Sequence, residues 1–154
     1  MKITDTQNPQ IIIMAKNQET GQIEEEFCTI QTIEYGEYLP YLSNIFATYE
    51  EEKTIINVLL STNYDVEDWE FDAIYDYYDT ESFFENKSIE NGIEDFNITE
   101  IEDVDNPTWR ATFVAEDDTT SISKHVGIIL RQHVEEFKDT KKALVEENAK
   151  EQYQ

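Results

Sequence analysis

The 154-residue chain carries 35 Asp and Glu against 11 Lys and Arg, a formal charge of −24, with 39% hydrophobic and 12% aromatic residues. That length suits a single domain, 1–154, with one core, and so many large apolar side chains exclude a disordered acidic tail. Charge of this sign repels nucleic acid and anionic membranes, which argues against direct nucleic-acid chemistry.

The first element is the apolar run Ile11-Ile12-Ile13-Met14, followed by the loop Asn17-Gln18-Glu19-Thr20-Gly21 and a second β-like run from Ile23 to Ile30. Two such runs around a five-residue loop with glycine predict a hairpin. Next, Leu39, Leu42, Ile45, Phe46 and Tyr49 stand three and four apart, with Pro40 near the start, so the spacing predicts a short amphipathic helix ending at Glu50-Glu51-Glu52. Residues 54–60, Thr-Ile-Ile-Asn-Val-Leu-Leu, are the best strand of the chain and apolar enough to be central.

Residues 65–79 carry both periods. As a helix, Asp65, Asp68, Asp72, Asp76 and Asp79 fall within about 80° of one another, with Val66, Phe71, Ile74, Tyr77 and Tyr78 mostly opposite. Asp65 is then the candidate N-cap. As a strand, Trp69, Phe71, Ala73, Tyr75 and Tyr77 alternate with acids. Five aspartates on one helical stripe favour the helix. A further turn or two is expected over 80–88, and Asn91-Gly92 between apolar residues signals a hairpin turn. Strands are expected at 96–98 and 108–114, joined by the acidic loop 102–107. From about Ser121 a long helix places Ile122, Val126, Ile129, His133, Phe137 and Leu144 on one stripe, and residues 146–154 form a polar tail expected to fray. The fold class is therefore α+β: an antiparallel sheet of about five strands, a short helix, an acidic middle helix and a long C-terminal helix packed on one face.

Catalytic and cofactor signals are thin. The four glycines are far apart, so no phosphate-cradling loop is present, and no Cys or His pair has zinc spacing. His133 reads as a core histidine, His125 as an accessible one at the stripe's edge, and Cys28 as a small buried hydrophobe. Asp103-x-Asp105-Asn106 opens like a calcium loop, but Pro107 follows and the glycine and closing Glu are missing. No cofactor, metal or catalytic residue is expected. The single cysteine excludes an internal disulfide and fits a reducing compartment. The opening Met1-Lys2-Ile3-Thr4-Asp5 lacks the apolar core of a signal peptide, so the expected location is the cytoplasm of a bacterium or of a phage-infected cell.

The positive signal is the distribution of charge. Residues 54–109 hold 16 acids and one base, Lys87, whereas residues 119–154 hold six of each. Within the acidic third, aromatics that suit interface anchors are mixed with charges that steer encounter. The candidate partner-binding residues are Asp65, Asp68, Trp69, Asp72, Tyr75, Asp76, Tyr77, Asp79, Glu81 and Glu85. The expected partner is a basic protein, such as a nuclease or another nucleic-acid-binding protein. Its basic surface would be occupied by a DNA-mimicking anti-defence protein or by a toxin-immunity protein. Two other readings compete: a housekeeping protein acidic only for solubility, and a carboxylate-based cation-binding protein or metal enzyme. Glu135 and Glu136, on the charge-balanced last helix, are the reference acids for testing the face.

Overall fold

Period-two alternation builds the sheet. In β1, Gln10–Lys16, Ile11, Ile13 and Ala15 are fully buried while their neighbours are half-buried. In β4, Lys53–Ser61, Ile56, Val58 and Leu60 repeat the pattern. The computed structural model describes residues 10–17, 19–81, 83, 93, 95–115 and 118–152. Its strands are β1, β2 (Ile23–Gln31), β3 (Leu42–Glu50), β4, β5 (Asn97–Ile101) and β6 (Thr108–Val114), and its α-helices are α1 (Asp68–Tyr77) and α2 (Thr119–Gln152). A 3₁₀ segment, Ile33–Tyr41, joins β2 to β3. The α+β class holds.

The sheet has six strands in the order β2-β1-β3-β4-β6-β5, antiparallel except where β1 meets β3. The hairpin of β1 and β2 forms as expected. Asn17 organises its loop by accepting the Glu19 and Thr20 N–H groups on Oδ1 at 2.8 and 3.1 Å. The best strand of the sequence is indeed central, between β3 and β6.

The expected helix around residues 39–49 is instead the end of the 3₁₀ segment, with Pro40 inside it, followed by β3. The misleading spacing has a physical origin. The β3–β4 register shifts between Leu42 and Asn44, and this irregularity turns both Leu42 and Ile45 into the core although they are three residues apart. Phe46 and Tyr49 are not core residues at all. The sixth strand, beyond the five expected, is β3. Glu51 and Glu52 turn the chain into β4, with Glu51 in the left-handed region at φ 54°.

One face of the sheet is covered by α2. Its buried residues Ile122, Val126, Ile129, His133, Phe137 and Leu144 recur at helical spacing, and His125 packs edge-on against Phe113. His125 is thus buried rather than accessible. Gly127 lets the 3₁₀ segment approach, since a Cβ there would lie 2.7 Å from the ring of the buried Tyr35. Among the described residues, no helix is long and apolar enough to cross a membrane. The turn 80–88 and the Asn91-Gly92 signal fall largely or wholly outside the described residues.

Candidate partner-binding face

Residues 68–77 are helical, and Asp68, Asp72 and Asp76 lie exposed along the outer side of α1. Spaced four apart, like charges on one helix face repel, so beyond the favourable place of Asp68 in the first turn this stripe does not stabilise the helix. Among the described residues none of the three takes part in an ion pair. The patch extends onto the sheet edge: burial, Asp76 and Glu102 together push the Glu100 carboxyl above its ordinary range. Trp69 stands 53% exposed beside the stripe and Tyr77 44% exposed further round the helix. The indole N–H of Trp69 donates to Glu67 Oε2 at 2.7 Å, which limits the ring's freedom.

Tyr75 is different. Its hydroxyl donates to the Ile101 carbonyl at 2.7 Å and accepts the Thr108 N–H at 2.9 Å, while its ring meets Trp109 edge-on. It is a half-buried strut between α1 and the β5–β6 hairpin, and it is unavailable as an anchor. Asp65 is not the helix cap. Its Oδ1 accepts from Asn106 Nδ2 at 3.0 Å, and the Val66 N–H goes to Asn106 Oδ1, so both are committed to the β5–β6 loop. Glu67 caps instead, with Glu70 Oε1 accepting its N–H at 3.2 Å. Asp79 and Glu81 are exposed just beyond the helix, where Asp79 Oδ1 accepts the Glu81 N–H at 2.9 Å. Glu85 lies outside the described residues.

The inner side of α1 is built from different chemistry. Ile74 and Tyr78 are buried and Phe71 is half-buried. The Tyr78 ring stacks on Trp109 at 4.1 Å, and its hydroxyl donates to His133 Nδ1 at 2.8 Å. His133 Nε2 lies 2.8 Å from the Ser61 carbonyl, an obligate acceptor, so Nε2 carries the proton and Nδ1 accepts. Burial pushes the imidazole down to about 4, against the opposing pull of the Ser61 carbonyl, and keeps it neutral. This histidine belongs to the core and does not face a substrate site.

Two acids join α1 to α2. Glu70 is buried and forms an ion pair with Lys141 at 3.1 Å while accepting the Tyr64 hydroxyl at 2.9 Å. Burial pushes its carboxyl up, but the Glu67 N–H, Tyr64 and Lys141 outweigh that and hold it below the ordinary range. Glu136 Oε1 accepts the Asp79 N–H at 3.0 Å and is likewise buried. Glu136 is therefore no reference acid for a surface test, because its reversal would strike the seam. Glu135 is exposed and serves that purpose.

The chain belongs to the family of unknown function DUF6762, whose profile matches residues 6–154. No curated protein and no solved structure matches it. Among the described residues of this family member, no group of three or more His, Cys, Asp or Glu is placed to hold a metal ion. Burial and the neighbouring Glu26 push the thiol of Cys28 up, away from the reactive thiolate.

The site reading from sequence overlooked a second region. Opposite α2, the sheet presents a concavity of about 820 Å³ that no element among the described residues covers, with a lining that includes Lys16, Phe46, Asn57 and Arg110. Its one legible signal was a polar residue, Asn57, in the middle of the most apolar strand.

Proposed function

We propose that this protein is a non-catalytic binding protein of the cytoplasm. In this reading the outer face of α1 occupies a basic, nucleic-acid-binding surface on a partner protein. The observation that carries the reading is the conjunction of three exposed aspartates, without an ion pair among the described residues, with two large exposed aromatics, Trp69 and Tyr77, on one short helix. Charge on the rim speeds and orients encounter, while a desolvated aromatic supplies the affinity. The mimicry of a nucleic acid is coarse. Aspartates one turn apart are separated by about 6 Å along the helix, against one duplex charge per roughly 1.7 Å of axis. Both a DNA-mimicking anti-defence role and toxin immunity use this geometry, and the partner distinguishes them.

The test is affinity capture from the native host with the parent chain and with Asp68→Lys, Asp72→Lys and Asp76→Lys combined. A basic partner should be retained by the parent, lost by the triple variant and retained by Glu135→Lys. Its association should weaken steeply with ionic strength, since exposed charges are screened within about 8 Å at physiological salt. Trp69→Ala should weaken binding by about 2 kcal/mol if the ring is a hot spot. Binding that ignores both salt and the triple reversal would place the functional face elsewhere.

A further inference from the structure

We propose that the face of the sheet opposite α2 binds a small amphipathic anion that also carries a hydrogen-bond donor. This site lies on the opposite side of the sheet from α2 and is independent of the α1 reading.

The face is defined by register. Asn57 pairs with Phe46 on one side and Thr112 on the other, Leu59 pairs with Arg110, and Ile55 pairs with Thr48 and Val114. These side chains alternate with the buried Ile56, Val58 and Leu60, so they project away from α2. Among the described residues no element covers them. The concavity of about 820 Å³ is of the size that takes a small ligand. Because the face is concave, it is a poor match for the same face of a second copy.

Two observations choose the ligand. The first is charge. The side chains of eight bases are described, and three of them, Lys16, Lys53 and Arg110, line this one concavity of a strongly acidic protein. Lys53 is tied to Asp95 at 3.6 Å on the rim, and Glu50 also lines the site. Arg110 and Lys16 have no ion-pair partner among the described residues, and the Lys16 ammonium sits 4.4 Å over the Phe46 ring. These two cations thus flank a mixed floor in which Phe46, Ile55 and Leu59 alternate with Thr48, Asn57 and Thr112, a lining that suits an acid head on a small amphipathic body.

The second observation is Asn57. It is only 5% exposed, yet it lines the concavity at its centre. Its Nδ2 makes every side-chain bond it has: to Thr48 Oγ1 at 3.1 Å, to the Ile55 carbonyl at 3.3 Å and to the Phe46 carbonyl at 3.5 Å. Two backbone carbonyls fix which end is the nitrogen, so Oδ1 is the acceptor, and among the described residues no donor meets it. That oxygen is reachable from the concavity, so a ligand that brings an O–H or N–H can pair with it. Asn57 is a diagonal neighbour of Arg110 across β4 and β6, about 7–8 Å away. One small molecule therefore spans both, as a β-hydroxy acid does.

The experiment titrates the protein with 3-hydroxyoctanoate, octanoate and 1-octanol, following the side-chain amide resonances of Asn57 by NMR. 3-Hydroxyoctanoate should bind several-fold tighter than octanoate, and octanol at least tenfold more weakly than either acid. Arg110→Gln, an exposed change that leaves the fold intact, should reduce both acids to the level of the alcohol. Asn57→Leu should erase the advantage of the hydroxy acid. If that variant does not fold, the ligand series on the parent chain and on Arg110→Gln still decides. Octanol binding as tightly as the acids would overturn the proposal, as would acid binding untouched by Arg110→Gln. So would a dimer, seen by sedimentation, that closes this face with a second copy.

Discussion

Glu70 and Asp72 are two residues apart on one helix, carry the same charge and belong to different parts of the molecule. Glu70 turns inward, where Lys141, Tyr64 and the Glu67 N–H compensate its burial. Asp72 turns outward with Asp68 and Asp76, into water and mutual repulsion. The difference teaches that a count of acids overstates a functional face. Some of the negative charge in this protein is mortar between α1 and α2, and only the remainder is free to meet a partner. The same division separates Tyr78, stacked on Trp109 and bonded to His133, from the exposed Tyr77 one residue earlier.

The sharpest way to probe the inner side is pH. His133 is neutral in the fold, with its value lowered from 6.5 to about 4, so the unfolded chain binds its proton first as the medium is acidified. Its contribution is complete above pH 6.5, is lost progressively as pH falls from 6.5 towards 4, and amounts to about 3 kcal/mol. Protonation of surface carboxylates acts in the opposite sense by relieving repulsion. The measurement is therefore the difference in urea-unfolding free energy between the parent and His133→Gln, which should narrow over that interval. A gap independent of pH would mean the imidazole is not held neutral.

Glu70→Ala removes the return half of the helix cap, takes away the acceptor of the Tyr64 hydroxyl and leaves Lys141 with Tyr64 alone, so it should cost about 2 kcal/mol in chemical denaturation. Asp72→Ala on the other side should change stability by less than about 0.5 kcal/mol. Equal costs for the two would erase the distinction between the sides of α1.

Gly127→Ala gains helix propensity yet drives a methyl into the Tyr35 ring, and a net loss of about 1 kcal/mol is expected from thermal unfolding. A gain would show that the 3₁₀ segment yields easily. The smallest effect belongs to the combined reversal of Asp68, Asp72 and Asp76 to Lys. Its stability should stay within about 0.5 kcal/mol of the parent or rise slightly, because exposed charges hold little of the fold and repulsion is relieved. A large loss there would make the outer stripe structural.

Much of this architecture is legible in local pattern. The β1–β2 hairpin, the central strand, β6 and the stripe of α2 all announce themselves, because each repeats one period over its whole length. The acidic helix is legible for the same reason. β3 was not, since a register shift between Leu42 and Asn44 gives a strand the three-residue spacing of a helix. Tyr75 passed for a surface group and Asp65 for the helix cap because their partners, Ile101, Thr108 and Asn106, lie 26 to 41 residues away in sequence.

By itself the sequence determined the class of fold, the charge imbalance and the amphipathic faces, all of which follow from composition and from spacings of two and of three to four residues. Tertiary structure alone decided which acids are exposed, which aromatics are reachable and which side of the sheet α2 covers. Those are properties of pairs distant in the chain. The burial of Glu70 depends on Lys141, that of His133 on Tyr78 and Ser61, and the exposure of Asn57 to a concavity on the register of three strands. Local pattern reports what a residue prefers, and only the packed chain sets what it meets.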